Sequence, residues 1–103
     1  MNKYGSDNWQ DHRFTLACKE VERRGQWLDI HLALYPEEGE TLPEELHDPS
    51  VYVICDLGGA IVQIILLDEG CDCEYQFTPG EKEKIARYLE EHCSAEMDSL
   101  LLR

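Results

Sequence analysis

The chain has 103 residues and a formal net charge of −13. That length holds one hydrophobic core and excludes a second folded domain, and the acid excess disfavours direct binding to DNA, RNA or anionic lipid. Hydrophobic residues make up 43% of the sequence and gather in runs at 51–55 and 60–67, enough apolar surface for folding rather than disorder.

Residues 1–12 are polar apart from Tyr4 and Trp9 and read as a flexible N-terminal arm, which leaves 13–103 as a single α+β domain. The first residues carry neither an apolar h-region nor a small-residue cleavage site. The longest uncharged apolar stretch, 57–67, falls far short of the roughly 20 residues that cross a bilayer. Five cysteines (Cys18, Cys55, Cys71, Cys73 and Cys93) form an odd set that favours free thiols in a reducing compartment. The expectation is a cytoplasmic protein with no membrane contact.

From residue 13, Phe14, Leu16 and Cys18 alternate with Thr15, Ala17 and Lys19, the period of a strand with one face inward. Arg23-Arg24-Gly25 supplies a turn. A second strand follows with Leu28, Ile30, Leu32 and Leu34 on the core side and Trp27, Asp29, His31, Ala33 and Tyr35 on the other, and Pro36 closes it because proline cannot donate to a ladder. Residues 36–50 hold three prolines and six carboxylates and form a long loop, in which Thr41 caps one helical turn anchored by Leu42 and Leu46. Loops of this length are often functional.

Residues 51–56 and 60–67 are rich in β-branched side chains and flank Leu57-Gly58-Gly59, which predicts a hairpin at the centre of the sheet. A turn over 68–72 leads to a fifth strand carrying Cys73, Tyr75 and Phe77. Thr78-Pro79-Gly80-Glu81 is a capping box with proline at the first helical position. Ile85, Leu89 and Cys93 make the buried stripe of the helix that follows. Beyond Ser94, Met97, Leu100 and Leu101 continue as a short helix or an apolar tail. Short connections permit antiparallel neighbours but not parallel crossovers, so the fold class is α+β: a five-stranded, mainly antiparallel meander sheet with a C-terminal helix packed on one face.

Charge is distributed unevenly. Residues 25–81 contain thirteen acids and no Lys or Arg, while the remaining nine acids are matched by nine bases. Carboxylates without nearby cations build a negative field that attracts basic surfaces over about a Debye length, near 8 Å at physiological salt. The candidate partner-binding residues are Glu37, Glu38, Glu40, Glu44, Glu45 and Asp48 of the loop, Asp68, Glu69 and Asp72 of the turn, and the outward Trp27, His31 and Tyr35, since aromatics anchor interfaces.

Catalytic and metal chemistry find weaker footing. Cys71-Asp72-Cys73 with His92 or Cys93 departs from the paired Cys-x2-4-Cys spacing of structural zinc sites, and its acidic neighbours raise thiol pKa values. Asp68, Glu69, Asp72 and Glu74 lack the register of an EF-hand loop. A nucleophilic Cys or Ser needs a His oriented by a carboxylate. Here His31 and Asp29 lie outward while Cys18 lies inward, and Gly58-Gly59 joins two strands instead of opening a phosphate-binding helix. The expectation is a protein that is not an enzyme, with no catalytic residues, cofactor or metal. It is read as a binding module for a basic protein, of the inhibitor or immunity type or imitating nucleic acid; the parallel is one of charge, not of sequence. The rival expectation is a homodimer or larger homo-oligomer joined through Trp27, His31 and Tyr35, with acidity serving solubility alone.

Overall fold

The computed structural model describes residues 1–7 and 9–100. Asn2–Lys3 (β1) precedes the long strands Phe14–Arg24 (β2), Trp27–Pro36 (β3), Pro49–Asp56 (β4) and Ile61–Asp68 (β5), then the two-residue strands Cys71–Asp72 (β6) and Tyr75–Gln76 (β7), and the helices Pro79–His92 (α1) and Ser94–Asp98 (α2). Strands β2-β3-β4-β5-β6 form one antiparallel sheet in chain order, so the α+β meander with a C-terminal helix is the architecture observed.

Strand alternation sets which face is covered. Leu28, Ile30 and Leu32 of β3 and Val51, Val53 and Cys55 of β4 are buried, and they share one core with Ile85, Leu89 and Cys93 of α1. Phe14 and Phe77 meet at 6.1 Å between ring centroids in the same core. The helix begins as its sequence dictates: the Thr78 hydroxyl accepts from the Glu81 amide at 3.1 Å, and Glu81 Oε1 accepts from the Thr78 amide at 2.9 Å.

Three details depart from the sequence reading. The fifth strand is broken, because Asp68 and Cys71 close a two-residue turn that pairs only Leu67 and Asp68 with β6. The chain then leaves β5, and β7 pairs with β1 in a separate two-stranded ribbon, a detour that delivers Phe77 into the core, where it is 1% exposed. The arm is tied at both ends: Met1, Asn2 and His12 are buried, whereas Tyr4 and Trp9, its large apolar side chains, are exposed. The loop after β3 has a turn at Glu44–Glu45 with no helix, although Leu42 and Leu46 do pack on the core as anchors. Met97 is buried and Leu100 packs beside it; Leu101 lies outside the described residues.

Candidate functional site

The end of β3, the start of β4 and the end of β5 lie at one end of the sheet, so the 37–48 loop and the Glu69-Gly70 turn emerge side by side. One carboxylate fastens them: Asp68 Oδ1 accepts the amides of His47 at 2.9 Å and Asp48 at 2.7 Å, while the Glu69 amide donates to the Asp48 carbonyl at 3.0 Å. Segments twenty residues apart in sequence therefore present their acids together. Glu38, Glu44, Asp48, Glu69 and Asp72 are exposed there, and none of them makes an ion pair among the described residues.

The rest of the acidic window is partly neutralised by bases from the two ends of the chain. Lys3 Nζ sits 3.5 Å from both Glu45 and Glu74, and these carboxylates, Glu45 first, raise its pKa. Arg13 lies 3.6 Å from Glu40, and Lys84 lies 3.6 Å from Glu37. Glu40 is held below the usual carboxylate range, chiefly by the Arg13 amide that donates to it at 2.9 Å. These cations are distant in sequence and close in the fold, so the acidic surface is smaller than the linear charge pattern implies. Between 36 and 48 and between 68 and 74 there are ten acids, and Lys3, Arg13 and Lys84 approach them, which leaves a net of seven negative charges.

The second group of candidate residues lies on the sheet face opposite α1. Trp27 is 39% and Tyr35 49% exposed, separated by eight residues of β3 and hence about 26 Å along the strand. His31, between them, stacks on Tyr52 of β4 at 4.8 Å with 4° between the ring planes. Asp29 shares this face, yet it is only 8% exposed, because Arg24 and the Tyr52 hydroxyl both bond to it. Tyr35 and Pro36 join this aromatic row to the acidic loop. Sequence reasoning missed Arg24 and Tyr52; the alternation of Tyr52 and Ile54 against Val51, Val53 and Cys55 carried the signal but was masked by a uniformly apolar run.

The residues weighed for chemistry are dispersed or already engaged. Asp29 serves Arg24 and Tyr52. The Cys73 thiol donates to the Leu66 carbonyl at 3.5 Å, and Cys93 is fully buried where α1 ends. Among the described residues no three His, Cys, Asp or Glu side chains group as metal ligands do, and no helix is long and apolar enough to cross a membrane. No family model, curated protein or solved structure matches the chain.

Proposed function

We propose that this chain is a small protein-binding module that docks on a basic protein through the acidic end of its sheet, in the manner of an inhibitor or immunity protein that covers a cationic, nucleic-acid-binding surface. The observation that carries the reading is the clamp of Asp68 on the His47 and Asp48 amides, which holds the acidic loop against the acidic turn. Two of the three cations nearby, Lys3 and Lys84, form exposed pairs at 3.5 and 3.6 Å, which are worth little and are screened by salt, while Arg13 pairs at 3.6 Å with the half-buried Glu40. The field of the remaining carboxylates speeds encounter with a basic surface, and Tyr35, at the border of the patch, offers an apolar anchor. Five free cysteines fit a reducing cytosol.

The test is capture of proteins from native extract on the immobilised chain at low salt, followed by binding kinetics with the protein that salt elutes. Replacing Glu38, Glu44 and Glu69 by Gln and Asp48 by Asn is expected to slow association about tenfold. Replacing Glu40 and Glu45 by Gln removes two charges instead of four and leaves Arg13 and Lys3 uncompensated, so it should slow association by less than the fourfold replacement. Capture indifferent to both salt and the fourfold replacement overturns the reading.

A further inference from the structure

The sheet has two outer edges, and they are built differently. β2 carries a device that natural proteins use to block edge pairing, five charges from Lys19 to Arg24. Its first half is also covered, since the Cys18 amide donates to the Tyr88 hydroxyl at 3.1 Å and Lys84 Nζ donates to the Phe14 carbonyl. On the other side β6 reaches only Leu67 and Asp68, so the outer side of β5 from Ile61 to Leu66 has no hydrogen-bonded strand, although β7 lies near it.

This bare edge reads Ile-Val-Gln-Ile-Ile-Leu and lies inside the longest uncharged window of the chain. Val62 is 55% and Ile61 38% exposed. Val62 is the extra residue of a bulge against β4, and pairing runs regularly from Gln63 onward. Because Asp68 pairs with Cys71 across the tight turn, antiparallel alternation turns the backbone groups of Leu66 and Ile64 to the open side. The Cys73 thiol bonded to the Leu66 carbonyl agrees with that phase. Shallow clefts run beside the edge and Tyr4 lines both; Lys82 lines the one that takes in Ile61 and Val62, and Asp72 lines the one that begins at Gln63. Neither charge makes an ion pair among the described residues.

We infer that β5 adds antiparallel to the same edge of a second copy of this chain, about a two-fold axis at Ile64. Pairing there sets Ile64 against its own copy, Gln63 against Ile65 and Val62 against Leu66, so the edge complements itself as an isologous interface requires and no like charges face each other. Reversal of strand direction brings Lys82 of one copy towards Asp72 of the other, twice. An edge without charge is also where two chains of net charge −13 approach at least electrostatic cost. The inference does not rest on the acidic docking surface, and either can fail alone.

Sedimentation equilibrium of the full chain from about 10 µM to about 1 mM, the range of weak associations, is expected to show a monomer–dimer equilibrium. Val62→Lys places a charge on the edge at an exposed site and is expected to weaken the dimer at least about tenfold, with unchanged far-ultraviolet circular dichroism and thermal midpoint. Lys82→Asp or Asp72→Lys alone should weaken it, and the two together should restore it. A monomer throughout the range, a dimer that Val62→Lys leaves intact, or a double exchange that fails to restore association each overturns the inference.

Discussion

Arg24 grips Asp29 across the β2–β3 turn with Nε 2.6 Å from Oδ2 and Nη2 3.2 Å from Oδ1, and the Tyr52 hydroxyl donates to Oδ1 at 2.8 Å. Three strands thereby share one carboxylate on the face that α1 leaves open. The Arg24 hydrogen bonds, against the opposing effect of burial, hold the Asp29 pKa below its ordinary 3.8. A folded value that is depressed means stability present above pH 3.8 and lost as pH falls through the lower folded value. Asp29→Asn is expected to cost about 1–2 kcal/mol at neutral pH, since the guanidinium it abandons is partly exposed. The gap between wild-type and variant urea midpoints should close as the acid limb is descended; a gap that stays constant from pH 7 down to pH 2, limits set by the ordinary carboxylate range, would show that the pair does not matter.

Glu81 does more than complete a capping box. Its Oε1 lies 2.5 Å from the Met1 ammonium and 2.9 Å from the Thr78 amide, and its Oε2 lies 2.9 Å from the His12 amide, with the side chain 1% exposed. One buried carboxylate thus joins α1 to both ends of the N-terminal arm. Glu81→Gln preserves the shape and removes the charge facing the ammonium, so a loss of about 3 kcal/mol is expected. Thr78→Ala, which removes the hydroxyl cap and the hydrogen bond that the hydroxyl donates to Asp11, should cost about 1–2 kcal/mol. Denaturant midpoints with unchanged slope measure both, and equal losses for the two variants would reduce Glu81 to an ordinary cap.

The thiols report the core directly. Burial pushes Cys55 up to about 11, and burial together with the neighbouring Cys18 pushes Cys93 up to about 12, whereas Cys71 is exposed. Because the thiolate is the reactive form, an aromatic disulfide reagent at about pH 8, close to the ordinary thiol pKa, is expected to label Cys71 quickly. Cys55 and Cys93 should react only on unfolding. Labelling of Cys93 at the rate of Cys71 in native protein would contradict the packing of α1.

The elements that sequence revealed are those fixed by local chemistry. Leu28 to Leu34 alternate with period two, and Thr78 to Glu81 carry a helix start within four residues, so β3 and α1 were readable from their own side chains. Pairing of Lys3 with Glu45 and Glu74, of Arg13 with Glu40 and of Lys84 with Glu37 depends on which ends of the sheet meet, and charge counting along the chain is blind to that. The same holds for β1 and β7: two-residue strands carry no periodicity, and Asn2 pairs with Gln76 only because Met1 is drawn into the core.

Glu69 joins the strain of the fold to its acidic surface. Among the described residues it is the non-glycine residue with positive φ, 53°, followed by Gly70 at 79°, the pair of left-handed conformations that a two-residue type I′ hairpin turn requires. Asparagine before glycine suits that turn best, and a residue with a longer side chain costs about 1 kcal/mol there. Glu69→Asn is therefore expected to raise stability by about 0.5–1 kcal/mol while removing one exposed charge from the candidate docking surface. If the carboxylate serves recognition, the same variant should associate more slowly with the basic partner, so stability and capture move in opposite directions. Thermal midpoints and association rates on one preparation decide the matter: a variant that is both more stable and equally fast would assign Glu69 no part in docking.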